Sequence, residues 1–118
     1  GGRIILCSSI AWWTGGEEGS VVYAASKGGV VTLARGLARA YGPDGITVNV
    51  VAPGGVLETA MGQQGVTPEM RERVLGSIPL RRWAQPHEIA GVFVFLASDH
   101  ATFITGATIN VTGGWLVY

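Results

Sequence analysis

The sequence predicts an α/β fold: part of a doubly wound parallel sheet, with three parallel strands joined by helical crossovers. Three observations carry this. Residues 3–8, 46–52 and 108–111 are short apolar runs of strand length. Near-continuous apolar strands belong to parallel sheets covered on both faces. Helical patterns separate them, one over residues 20–41 and one over 86–98, and each is apolar on more than one side. Such helices are packed between other layers. Strand, helix, strand is a βαβ unit, and its crossover is expected to be right-handed.

The first strand ends in small polar residues, Ser8 and Ser9. Residues 9–19 read as a glycine-containing loop that carries Trp12 and Trp13. Ser20 stands where a helix N-cap belongs, and Gly42-Pro43-Asp44-Gly45 stops the helix at about Tyr41. Leu33, Leu37 and Ala40 form the expected core stripe of this helix, widened by Val30, Val31, Ala34 and Ala38. Thr32, Arg35 and Arg39 leave only a narrow polar face. Asn49 is the polar residue inside the second strand, which Pro53-Gly54-Gly55 breaks. Residues 56–80 are an irregular, polar excursion holding one helix signal: Thr67 as cap, Pro68 in the first turn, Glu69 after it, and Gly76 as a stop. Pro86 starts the last helix, with Glu88 placed to reach back toward its beginning. Ile89, Val92, Phe93 and Leu96 follow helical spacing, with Val94 and Phe95 on the opposite side. Gly113-Gly114 follows the third strand.

The 118 residues fit one domain at most, and the formal net charge is zero. Nothing in that balance points to nucleic acid or an acidic membrane surface. The longest apolar run, residues 90–97, is far too short to span a bilayer. The single cysteine, Cys7, reads as a small buried hydrophobe, and a reducing cytoplasm is the expected compartment. His87 and His100 stand apart from any other ligand type, so no metal site is expected. The chain opens Gly-Gly-Arg inside a strand pattern, without a signal-peptide pattern, which is expected of part of something larger.

Tyr23-Ala24-Ala25-Ser26-Lys27 carries the chemistry. Residues four apart on a helix share a face, so Tyr23 and Lys27 project the same way. A tyrosine alone titrates near about 10 and is a poor acid or base at neutral pH. An ammonium held beside it favours the phenolate, which makes the pair a proton donor and acceptor for neutral pH. By itself such a pair is more often a surface contact. Its surroundings single this one out. Ligands of open α/β sheets sit beyond the carboxyl ends of the strands. Ser8-Ser9 ends the first strand, Pro53-Gly54 ends the second, and Tyr23 and Lys27 open the helix between them.

These residues, with Leu6-Cys7-Ser8-Ser9-Ile10, Pro53-Gly54-Gly55-Val56-Leu57-Glu58-Thr59 and the tail from Ile78-Pro79-Leu80-Arg81-Arg82 through Pro86-His87-Glu88 to Phe95-Leu96-Ala97, resemble the short-chain dehydrogenase/reductase family. That family consists of NAD(P)-dependent oxidoreductases with a Rossmann-like domain. The resemblance runs from Gly2 to Gly114 and covers the C-terminal half of the family's domain. Residues 1–118 are therefore expected to be that half, without the glycine-rich pyrophosphate loop and the element that selects NAD or NADP. The resemblance implies hydride transfer between a nicotinamide cofactor and a secondary alcohol or ketone. Ser9 matches the catalytic serine, with Ser8 as the other register. Tyr23 matches the general acid/base. Lys27 matches the residue that tunes the tyrosine and holds the nicotinamide ribose.

In the segment after the second strand, Pro53, Gly54 and Val56 or Leu57 match positions whose backbone meets the carboxamide, and Thr59 matches the hydroxyl that does so. Both motif spacings are one residue longer than the family's usual pattern, and Thr112 stands where the family commonly has Asp. The resemblance also implies a homodimer or homotetramer, formed through the last helix and the helix carrying Tyr23. At least one of Trp12 and Trp13 is expected to line an apolar substrate pocket, the alternative being packing of the loop on its own body. The competing functional reading is an inactive partial chain, or a packing and oligomerisation module of the same fold.

Overall fold

The computed structural model describes residues 1–17, 19–56 and 65–118. Strand β1 (Arg3–Cys7) leads through a short helix α1 (Ala11–Thr14) to the long helix α2 (Val21–Tyr41). A 3-10 turn over Gly42–Asp44 ends at Gly45, whose φ of 72° is a left-handed conformation that glycine adopts without strain. Strand β2 (Thr47–Pro53) follows, then helix α3 (Pro68–Ser77), helix α4 (Pro86–Ala97), a 3-10 turn over Asp99–Ala101, and strand β3 (Thr108–Val111).

The strands form one parallel sheet in the order β1-β2-β3. Arg3 pairs with Thr47 at one end and Cys7 with Val51 at the other, while Val50 to Pro53 pair with Thr108 to Val111. Alternation along the strands sends successive side chains to opposite faces. Ile4, Leu6, Val48 and Val50 therefore meet Val31, Ala34 and Ala38 of α2. Ile5, Val51, Ile109 and Val111 meet Leu96, Ile89, Val92 and Phe93 of α4. Helices thus cover both faces, and the doubly wound parallel architecture expected from the sequence is present.

Asn49 is fully buried in β2. Its amide Nδ2 donates to the Ile104 carbonyl at 2.8 Å, and its Oδ1 accepts from the Ala107 amide at 3.0 Å. A polar side chain in a core needs such partners, and here it pins the approach to β3.

The helix signals hold in detail. Thr67 Oγ1 accepts from the Met70 amide at the start of α3. Glu88 Oε2 accepts from the Gln85 amide at the start of α4, completing a capping box. Four local expectations change. Residues 11–14 are helical, where a loop was expected. Ser20 holds the N-cap position of α2, but its hydroxyl donates to the Glu17 carbonyl at 2.6 Å and makes no cap bond. The buried stripe of α2 is Val31, Ala34 and Ala38, while Leu33 is 55% exposed and Ala40 is also exposed. Cys7 is exposed, because it ends a strand that has a neighbour on one side only among the described residues. Among the described residues no helix is long and apolar enough to cross a membrane, and no three His, Cys, Asp or Glu side chains cluster as a metal site.

Candidate active site

The site is assembled at the carboxyl ends of β1 and β2. Three bonds bring the pieces together. The Ile10 amide donates to the Pro53 carbonyl at 2.9 Å, joining the turn after β1 to the end of β2. The Ser8 hydroxyl donates to the Lys27 backbone carbonyl at 2.8 Å. The Lys27 ammonium donates to the Cys7 carbonyl at 3.3 Å. Lys27 is therefore held twice by consecutive residues of the chain, once through its backbone and once through its side chain.

Helical spacing puts Tyr23 and Lys27 on one face, and Lys27 Nζ lies 5.6 Å from the centre of the Tyr23 ring. Tyr23 sits in the first turn of α2, half-buried. Among the described residues its phenol oxygen has no hydrogen-bond partner in the fold, so it is available to a ligand. The Tyr23 side chain lines a cleft of about 550 Å³, shared with Ile10, Ala11, Thr14, Glu17 and Trp115 among others. Pockets of this size take small molecules or cofactor fragments.

The two serines separate cleanly. Ser8 is buried, and its hydroxyl is spent on Lys27. Ser9 is half-buried and its Oγ accepts from the Ala11 amide at 3.2 Å. A hydroxyl has one donor and two acceptor sites, so this bond orients Ser9 and leaves its proton to give. The backbone of Ser9 also starts α1, through the Trp12 amide bond to its carbonyl at 2.9 Å.

Pro53 is the last residue of β2. Gly54 follows, its amide bonded to the Val111 carbonyl at 3.0 Å and its Cα against Thr112, where a Cβ would come within 3.2 Å of the Thr112 backbone. Gly55 lies under the Trp83 indole, which occupies the place of a Cβ, and its carbonyl accepts from the Ala84 amide at 3.0 Å. Val56 forms a parallel bridge with Ala84. Leu57 and Thr59 lie outside the described residues. Thr112 is buried, and its Oγ1 accepts from the Leu116 amide at 3.2 Å. It shapes the turn after β3.

The segment holding Ala84 is braced from below. Arg82 and Glu88 form a two-pronged ion pair, both contacts at 2.7 Å. The Arg82 bond, followed by the Gln85 backbone bond, lowers the Glu88 carboxyl to about 2.

Trp12 and Trp13 are not cleft walls. Trp12 Nε1 donates to Asn110 Oδ1 at 3.0 Å, and Trp13 stacks on Tyr118 with ring centres 4.9 Å apart. The loop packs on its own body, the alternative to the expected pocket lining. The tryptophan in the cleft is Trp115, which sequence reasoning missed. Its only sequence signal is its place just after Gly113-Gly114, a turn with left-handed φ at both glycines.

The donor set suits a nicotinamide nucleoside. A primary ammonium, with one of its donors on a carbonyl, can bond ribose hydroxyls, and it stands beside a phenol beyond the strand ends. A family model described as enoyl-(acyl carrier protein) reductase matches residues 1–116. The chain is 41% identical, over its whole length, to an uncharacterized short-chain type dehydrogenase/reductase of Sinorhizobium fredii, and covers 47% of that protein. It is 48% identical over 114 residues to the 3-oxoacyl-[acyl-carrier-protein] reductase of Pseudomonas aeruginosa, covering 96% of this chain and 44% of that one. A protein from Beutenbergia cavernae, solved with bound NADP at low occupancy, superposes with a TM-score of 0.90 at 38% identity. That match spans 96% of this chain and 45% of the other. The chain thus spans about half the length of the relatives it matches. With the sheet, the Tyr23–Lys27 pair and these matches in agreement, the chain belongs to the short-chain dehydrogenase/reductase family.

Proposed function

We propose that this chain is the catalytic, C-terminal half of an NAD(P)-dependent oxidoreductase acting on a secondary alcohol or ketone. The observation that carries the reading is the placement of Tyr23. Tyr23 lines a cleft beyond the strand ends, with the Lys27 ammonium 5.6 Å from its ring and anchored on the Cys7 carbonyl. The bound nicotinamide supplies or accepts the hydride. In the reducing direction the Tyr23 hydroxyl gives its proton to the substrate oxygen. Ser9 donates a hydrogen bond to that same oxygen, using the proton left over by its bond from Ala11. Lys27 offsets the charge left on the phenolate and offers its remaining donors to the ribose. The family resemblance assigns the carboxamide contacts to Pro53, Gly54 and the backbone of Val56 or Leu57, with Thr59 as the residue that would add a hydroxyl. NAD and NADP share the nicotinamide ribose that Lys27 would hold, so the reading takes either as the cofactor.

The whole enzyme works in the cytoplasm as a homodimer or homotetramer. The support for assembly is apolar surface on the two helices named for it: Val22 on α2 is 83% exposed and Val94 on α4 is 70% exposed.

Tyr23→Phe tests the assignment in the complete polypeptide. Turnover should fall by about 10²–10⁴ for loss of a positioned proton donor, with NADH or NADPH binding largely kept because the ring remains. Turnover within tenfold of wild type would sink the reading.

A further inference from the structure

Resting on the oxidoreductase reading, we propose that the cleft selects an uncharged substrate bearing a planar apolar group, with Trp115 as the platform and Glu17 as the residue that turns away anions. Two independent features of the cleft converge on this.

The first is how Trp115 is held. The turn through Gly113 and Gly114 is closed by the Trp115 amide bonding the Thr112 carbonyl at 3.2 Å and the Leu116 amide bonding Thr112 Oγ1. At the far end Tyr118 stacks on Trp13, and its hydroxyl accepts from Asn110 Nδ2 at 2.7 Å. The segment is pinned on both sides of Trp115, which lines the cleft together with Tyr23. Ile10 and Ala11 add apolar wall, and Tyr23 faces the same space. A preset aromatic face beside the proton donor favours a flat apolar group in the substrate.

The second is charge. Among the described residues lining the cleft, Glu17 alone carries a charge, and it is negative. The Lys27 ammonium is turned to the Cys7 carbonyl and is not part of the lining. The start of α2 contributes a partial positive charge, equivalent to about half an electron. Glu17, four residues ahead of Val21, carries a full charge in the segment that enters this helix. A carboxylate or phosphate held on the Glu17 side of the cleft meets that like charge, while a neutral group meets none.

The test uses ketones of one shape, 4-acetylbenzamide and 4-acetylbenzoate, with 2-butanone as a small aliphatic comparison. Affinity is measured by ligand-observed NMR on the complete polypeptide without cofactor, and kcat/KM with NADH and NADPH. The amide should exceed the carboxylate by about tenfold in both. Glu17→Gln should narrow that ratio by about three- to fivefold, the scale of an exposed charge interaction, and the effect should fade in 1 M salt. Trp115→Leu should weaken the aryl ketones relative to 2-butanone by about tenfold, and Trp115→Phe should restore most of the difference. Carboxylate binding equal to amide binding, a ratio unmoved by Glu17→Gln, or an aryl preference untouched by Trp115→Leu overturns the proposal. Ordered binding without turnover leaves the cleft assignment standing and refutes the oxidoreductase reading. Turnover without ordered binding does the reverse.

Discussion

Asn49 offers the sharpest test of how the sheet is held together. Asn49→Leu keeps a side chain of similar length but removes both polar atoms. The Ile104 carbonyl then loses its donor and the Ala107 amide its acceptor, in two part-buried bonds to a fully buried side chain. A group left unpaired where water does not reach costs about 1–3 kcal/mol, so about 2–6 kcal/mol is the upper range for the pair before apolar gains are subtracted. A net loss of about 3 kcal/mol is expected.

Asn49→Asp separates the two bonds. When ionised it keeps the acceptor for Ala107 but loses the donor to Ile104, whereas the protonated acid can donate to Ile104; a buried carboxyl facing a carbonyl is therefore held protonated, its pKa raised above the ordinary value. The sign follows from linkage. A raised acid pKa makes the folded state bind the proton longer than the unfolded chain. The variant is therefore least impaired below about pH 4, near the ordinary aspartate value, and loses stability as pH rises through the folded value. Urea unfolding of the complete polypeptide from pH 4 to 8 reads both effects, and exchange of the Ala107 amide reports the local one. Asn49→Leu within about 0.5 kcal/mol of wild type, with an Asn49→Asp curve parallel to wild type, would refute the reasoning, since ordinary surface changes stay within that limit.

Three further outcomes are expected. Lys27→Ala removes the ammonium from the Cys7 carbonyl and from beside Tyr23, so both cofactor affinity and kcat should fall. Steady-state kinetics with either value within twofold of wild type would contradict its double role. Glu88→Gln breaks the ion pair with Arg82; because the Glu88 carboxyl is lowered from its ordinary 4.5 to about 2, its stabilisation is present above 4.5 and fades as pH falls toward 2. Wild type and Glu88→Gln should therefore differ in thermal stability near neutral pH and converge in acid, and a constant difference would be inconsistent with the pair. Gly55→Ala drives a methyl into the Trp83 indole, costing about 1–3 kcal/mol of overpacking, and by shifting Gly55 and Val56 it should raise the cofactor KM more than the substrate KM. Equal changes in the two constants would argue against these residues meeting the cofactor.

The sequence made the architecture legible because its signals are local. The strands are short apolar runs. Thr67 and Glu88 cap their helices as their positions require, and Tyr23 and Lys27 share a face by helical geometry alone. What it hid depends on distance or on phase. Residues 11–14 form one turn, too short to show a period. Helix α2 has apolar residues nearly all round, so no broad polar face fixes the stripe, and Val31, Ala34 and Ala38 face the sheet instead of Leu33 and Ala40. The Ser20 hydroxyl donates to the Glu17 carbonyl and accepts no bond from the first helical amides, a local choice that residue type alone leaves open. The sorting of the tryptophans turns on contacts with Asn110 and Tyr118, about a hundred residues away, which no local pattern records. The family resemblance added the roles of Ser9, Pro53, Gly54, Val56 and Thr59, which spacing alone leaves unmarked.

The double hold on Lys27 makes the loop before α2 modular. Cys7 and Ser8 grip that residue directly, through its ammonium and its carbonyl, so the helix carrying Tyr23 takes its registration from the strand and not from the chain between them. Residues 15–19 can then lengthen, shorten or change character while Tyr23 keeps its station. The one-residue surplus between Ser9 and Tyr23 is the kind of change this permits. The loop that borders the cleft is free to vary with the substrate, and the proton-transfer geometry is insulated from that variation.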